Sequence, residues 1–209
     1  NLWFDNQAEA NSTYGHISDW NTSAVTNMTQ AFFFRSGFNE DISNWDTSSV
    51  TNMHRMFNGA HAFNQPIGNW DVSSVTNMRE IFHMTSTFNQ PIGDWNVSSV
   101  TNMYGVFHGA NAFNQSISDW DISSAITMDR MFWDTDSLSN SNKGKIHAAF
   151  ASNSNWPYDW REFVALDDSN FQNAVNLWFS NQAEANATYG HISDWNTSAV
   201  TDMSNAFDG

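Results

Sequence analysis

The stretch VTNMHRMFNGAHAFNQPIGNWDVSS, from Val50 to Ser74, decides how the rest of the chain reads. Its tryptophan, Trp70, recurs every 25 residues at Trp20, Trp45, Trp95 and Trp120, and again in phase at Trp195. Eight residues after each comes a methionine (Met28, Met53, Met78, Met103, Met128, Met203), and twelve after comes a phenylalanine (Phe32, Phe57, Phe82, Phe107, Phe132, Phe207). Phe-Asn pairs follow at Phe38, Phe63, Phe88 and Phe113, and Ile42, Ile67, Ile92 and Ile117 lead to the next tryptophan. A fixed period of this length marks stacked units, none of which buries its apolar face alone.

Within the quoted unit, Val50, Met53, Met56, Phe57 and Ala60 fall at i, i+3, i+6, i+7 and i+10. That spacing predicts an amphipathic helix, with Thr47 or Ser48 as N-cap and Asn58-Gly59 ending it. The segment from Ile67 to Val72, after a proline that cannot donate, reads as a short strand. One strand and one helix per unit predict an α/β solenoid: a leucine-rich-repeat-like, right-handed stack of strand–helix units with helical caps. The Trp, Met, Phe and Ile columns, Trp195 included, are its expected core.

At these residues the chain resembles the BspA-type leucine-rich-repeat surface proteins of bacteria, from about Ile17 to Phe132 and again from Ile192 onward. The resemblance implies an extracellular or cell-surface protein used in adhesion or scaffolding.

Residues Asp134 to Asn186 interrupt the pattern, yet Trp195 lies 175 residues after Trp20, which is seven periods. Asn176 to Met203 repeats Asn1 to Met28 at 25 of 28 positions, so the chain holds one super-repeat and the start of another. The expected organisation is a repeat stack over 1–137 with a helical N-cap remnant at 1–16, a C-terminal cap over 138–166, and over 167–209 the cap helix and first unit of the next super-repeat. Helices are predicted from Asn142 to Phe150 and from Ser169, as N-cap, through Phe171, Val175 and Trp178. The chain reads as a block of a longer tandem array.

Composition narrows the function classes. Among 209 residues, seven Lys plus Arg face twenty-two acidic residues, a formal net charge of −15. Nothing there displaces counterions from a polyanion, so nucleic acid is not an expected partner. Cysteine is absent, which removes disulfides, thiolate nucleophiles and thiol-ligated zinc. No apolar run approaches the roughly 18 residues of a membrane span.

Few constellations suggest chemistry. His83 and His108, one period apart, are weighed as a metal pair against exposed rim histidines, the preferred reading. The Asx residues beside the tryptophans, Asp46, Asp71, Asp94 and Asp121 foremost, are the calcium candidates, against the preferred reading that they satisfy turn backbones. No other cofactor is expected. The column Thr26, Thr51, Thr76 and Thr101 is read as local capping in the helix's first turn rather than as a water-ordering ladder. Lys143, Lys145, His147, Asp159, Arg161 and Glu162 read as a cap with paired charges, and because Ser, Asp and His recur in every unit, no enzyme is expected.

Two functions are therefore weighed. One is a structural block whose partners are other copies or adjacent blocks, assembling into a surface layer or filament; the other is an adhesin gripping a host or matrix protein or glycan on its sheet face. A binding face should vary between units. The restricted choice at Asn44, Asn69, Asp94 and Asp119 favours the scaffold.

Overall fold

Over residues 53–59, where the spacing predicts a helix, the backbone runs as overlapping turns. Met56, Asn58 and Ala60 each donate their N–H to the carbonyl three residues back, at 3.1, 3.2 and 2.9 Å. The intervening residues send theirs out of the coil: Met53, Arg55, Phe57 and Gly59 donate to Asn77, Arg79, Ile81 and His83 of the next coil at 2.8–2.9 Å. Carbonyls alternate in the opposite sense, Asn52, His54, Met56 and Asn58 accepting from Met28, Gln30, Phe32 and Phe34. Every coil interface from Met28 to Trp133 repeats this fourfold ladder, so the backbone polar groups are paired without helix or sheet.

Two positions per coil make this path possible by adopting positive φ. Gln30, Arg55, Glu80, Gly105 and Arg130 form one such column, with φ between 55° and 60°. Four residues on, Phe34, Gly59, Met84, Gly109 and Asp134 form the second. Each stands third in its turn, where a type II turn requires the left-handed region. A side chain there costs about 1–2 kcal/mol, which the four ladder bonds per interface, each worth about 1 kcal/mol net, offset.

The structure is a computed structural model describing residues 2–204 and 206; the aligned Phe207 lies outside the described residues. It overturns the strand–helix architecture: among the described residues there is no β-strand, and every α-helix lies outside the coils. Coil-to-coil pairing of β type is limited to isolated parallel bridges joining Asn27, Asn52, Asn77, Asn102 and Thr127. The expected strand at Ile67–Val72 is also turns, with Trp70 N–H bonded to Ile67 O and Val75 N–H to Val72 O. The leucine-rich-repeat reading fails because a chain of three-residue turns returns apolar side chains at the same i, i+3, i+7 spacing as a helix. Burial separates the two, since Asn58 is 3% exposed where a surface helix would show solvent.

Two compact units divide the chain, Asn1–Leu138 and Ser139–Gly209. In the first, the Met28, Met53, Met78, Met103 and Met128 column, the Phe32 to Phe132 column and Ile42, Ile67, Ile92 and Ile117 are all buried. Phe57 stacks on Phe63 of its own coil with centroids 3.9 Å apart, and on Phe82 of the next at 5.8 Å. Trp45, Trp70, Trp95 and Trp120 are buried too. Each indole N–H reaches back 28 residues to an isoleucine carbonyl, Trp45 to Ile17 at 2.8 Å, Trp70 to Ile42 at 3.2 Å, Trp95 to Ile67 at 3.1 Å and Trp120 to Ile92 at 2.9 Å. The tryptophans are therefore staples between coils.

Trp20 and Trp195 sit where no coil precedes them, and both are half-buried. Two short helices cover Trp20, α1 (Leu2–Asp5) and α2 (Gln7–Tyr14), with Trp3 edge-on to it at 5.7 Å. The second unit contains α3 (Asn140–Phe150), α4 (Phe171–Ser180) and α5 (Gln182–Tyr189). Ser139 caps α3, and Gly144 is required there because a Cβ would lie 2.1 Å from Phe163 O. Helix α4 buries Phe171, Ala174 and Val175 on one face but starts after Asn170, since the Ser169 hydroxyl bonds Asp167 instead of capping. The super-repeat reproduces the first cap: Trp178 is edge-on to Trp195 at 5.9 Å, and Trp195 donates to Gly190 O as Trp20 does to Gly15 O.

Candidate functional site

The turn ribbon, residues 28–35 and their equivalents, is where the coils differ. Its core-facing Met and Phe repeat, but the other columns do not: Thr29, His54, Arg79, Tyr104 and Asp129; Gln30, Arg55, Glu80, Gly105 and Arg130; Phe33, Asn58, His83, His108 and Trp133; Phe34, Gly59, Met84, Gly109 and Asp134. Backbone geometry is held constant by the ladder, so side chains here vary while the coil path is kept. The second left-handed column alternates large over small. A Cβ on Gly59 would lie 2.8 Å from the Phe34 ring, so Phe34 lies across the glycine.

Charged and aromatic groups interlock along this face. Glu80, 6% exposed, accepts from Arg55 Nε at 2.5 Å and Arg79 Nη2 at 3.2 Å. Burial raises its pKa, but hydrogen bonding to Arg55 and the charges of Arg55 and Arg79 outweigh that and hold it below the ordinary value. The Arg79 guanidinium lies 4.7 Å over the Tyr104 ring, and that of Arg130 4.5 Å over Trp133. His83 and His108 stack with centroids 4.4 Å apart, and Trp133 continues the stack at 5.8 Å from His108. Burial, then the neighbouring His108, lowers the His83 pKa, and Asn58 Nδ2 points at His83 Nδ1, 3.0 Å away. An amide donor there fits a neutral ring carrying its proton on Nε2. Phe34, Met84 and Trp133 remain 59%, 41% and 50% exposed.

The calcium candidates lie elsewhere, at the tryptophan corner. Asp46 and Asp71 Oδ1 each accept the N–H and hydroxyl of the serine two residues on, and Asp121 the N–H of Ser123. Those serine bonds hold the three carboxyls below the ordinary pKa. Asn21 and Asn96 make the same turn with an amide, so the turn itself does not need charge. Asp94 stands exposed on the other side of its tryptophan. Among the described residues no three His, Asp or Glu side chains converge as a metal site.

Other sequence candidates are also placed. Without a helix there is no first turn for the threonines to cap: Thr51, Thr76 and Thr101 form an exposed ladder, each N–H and hydroxyl bonded to the threonine carbonyl one coil back. In the second unit Arg161 forks onto Asp159 at 2.7 and 2.6 Å. His147 is buried between Trp156, whose indole donates to Nδ1 at 3.0 Å, and Ala187 O, 2.9 Å from Nε2. The ribbon itself escaped the sequence reading because its residues were assigned to helix faces. Column-by-column variability was the signal that could have found it.

No helix of the described residues is long and apolar enough to cross a membrane. No curated protein and no solved structure matches the chain. A family model described as "Mycoplasma protein of unknown function, DUF285" matches residues 3–97, 66–163 and 144–209. The overlap of the three matches fits a tandem repeat, and since together they span nearly the whole sequence, the chain belongs to the DUF285 family.

Proposed function

We propose that this chain is a non-enzymatic block of an extracellular tandem-repeat scaffold, which makes its contacts through the turn ribbon. The observation that carries the reading is the concentration of the largest coil-to-coil changes in charge and size on the turn ribbon, while the Trp, Met, Phe and Ile columns repeat. The in-phase super-repeat supports an array of blocks, and the resemblance to BspA-type surface proteins supports display outside the cell. Labelling intact cells with a membrane-impermeant amine reagent tests the location, with exposed Lys145 as reporter. Modification of Lys145 before lysis is expected, and modification only after lysis would refute the reading.

A second reading is favoured by the ribbon's composition. Trp, Tyr and Arg are the residues most enriched at binding hot spots, and the ribbon carries two such pairs, Arg79 over Tyr104 and Arg130 over Trp133. In that case the face grips a matrix protein or glycan, replacing the sheet face that the fold lacks. Binding of the chain to immobilised matrix glycoproteins, lost on Trp133→Ala, would support it.

A further inference from the structure

We infer that the ribbon docks on the tryptophan-corner ridge of a second copy of this chain, so that coil stacks associate side by side. The inference rests on the scaffold reading above and names the partner that the reading leaves open. Its basis is the separation of charge within the first unit. Only four of the chain's seven Lys and Arg fall in that unit, Arg35, Arg55, Arg79 and Arg130, and all four are on the ribbon. The corner ridge has no cation and carries Asp46, Asp71, Asp94, Asp119 and Asp121, all exposed.

The two faces are distinct, because the ribbon Phe and the following corner Trp both turn inward and meet in the core, Phe57 to Trp70 at 6.1 Å and Phe82 to Trp95 at 6.2 Å. The ribbon is not purely cationic. Glu80 is enclosed by Arg55 and Arg79, leaving that patch one positive charge in excess, while Arg130 shares the last coil with Asp129, Asp134 and Asp136. Coils two and three are therefore the attractive part of the ribbon. The exposed Phe34 and Met84 flank them and supply apolar area.

Spacing selects the partner. Ribbon and ridge are indexed by one coil repeat, so two stacks lying side by side in the same direction stay in register at every coil. A ligand of other periodicity matches at one coil and misses at the next. Because the two contacting faces differ, the contact is heterologous and leaves a free ribbon and a free ridge at the edges, which allows a layer to grow.

Sedimentation velocity of the full chain tests this at about 0.1 M and about 1 M salt, where the screening length falls from about 10 to 3 Å. Species above the monomer mass of 23.7 kDa are expected at the lower salt and fewer at the higher. A ridge variant, D46N/D71N/D94N/D119N/D121N, keeps the corner turns because Asn occupies equivalent positions in other coils. It and a ribbon variant, R79Q, should each weaken self-association about tenfold or more, and unchanged melting curves show that both fold. Mixing them should restore one-to-one pairs, since each retains the face the other lacks. A parent chain that stays monomeric at both salts, a ridge variant that associates like the parent, or a mixture that does not pair would each overturn the inference. With Lys145 labelled on intact cells, such an outcome removes this partner and leaves the scaffold reading standing; labelling only after lysis removes the reading itself.

Discussion

Replacing Trp95 by phenylalanine measures what the indole staple contributes between coils. Trp95 is 3% exposed, its N–H donates to Ile67 O at 3.1 Å, and its ring stacks on Trp120 at 6.4 Å. The Ile67 carbonyl keeps its bond from Trp70 N–H, so the lost hydrogen bond costs about 1 kcal/mol and not the larger penalty of an orphaned buried acceptor. The smaller ring leaves a void of about 40 Å³, worth about 1 kcal/mol at ~24 cal/mol per Å³. The lost apolar burial adds about 1 kcal/mol, giving about 3 kcal/mol in all. Trp20→Phe is the comparison: Trp20 is only half-buried and donates to an exposed carbonyl, so about 1 kcal/mol is expected. Urea denaturation followed by circular dichroism reads both. A difference below about 1 kcal/mol between the variants would refute the staple argument, since buried and terminal indoles would then be equivalent.

Three further outcomes follow from the geometry. Gly59→Ala should destabilise by about 2 kcal/mol or more, from the left-handed φ and a Cβ placed 2.8 Å from Phe34, and Gly109→Ala by less, since its Cβ meets Met84 at 3.4 Å; paired thermal melts rank them. Burial lowers the His147 pKa despite its bond to Ala187 O, so the unfolded chain takes up this proton more readily. The stability contributed is complete above about pH 6.5 and declines as pH falls toward the depressed folded value, by up to about 1.4 kcal/mol per pH unit. Denaturation of His147→Gln across pH 5 to 8 (about the range in which histidine titrates) should lack that component, and an unchanged pH slope would count against it. Heating with and without a chelator should leave the melting temperature unchanged, because serine N–H and hydroxyl groups already occupy Asp46 and Asp71 Oδ1; a drop would return these residues to the metal reading.

The repeat was legible in the sequence because Trp, Met, Phe and Ile occupy invariant columns. The conformation of the unit was not, because Val50, Met53, Phe57 and Ala60 are buried by a turn ribbon at the same spacing a helix would give. What distinguishes the two is the sign of φ at Arg55, a non-glycine residue whose sequence gives no sign of the left-handed region. Gly105 and Gly109, four apart in one coil, were the local hint. The helix Asn140–Phe150 was readable, from Asn142 onward, because Ile146 and Phe150 share one apolar face. The ribbon's chemistry was hidden for a different reason: Arg55 and Glu80 interact at 25 residues' separation, and only the coil register brings them together.

The direction of the ribbon ladder gives the coil stack a polarity. At each interface four ribbon N–H groups point toward the following coil and four carbonyls toward the preceding one, while two N–H groups, as from Thr51 to Thr26 O and Ala62 to Ser36 O, point the other way. The peptide dipoles of the ribbon therefore add along the stack, as they do along a helix, but with the positive pole at the end of the last coil rather than the first. The ribbon's net charges match this field: Arg35 is on the first coil, and on the last Asp129 and Asp134 outnumber Arg130. A block built this way has a chemically distinct head and tail before any partner is present.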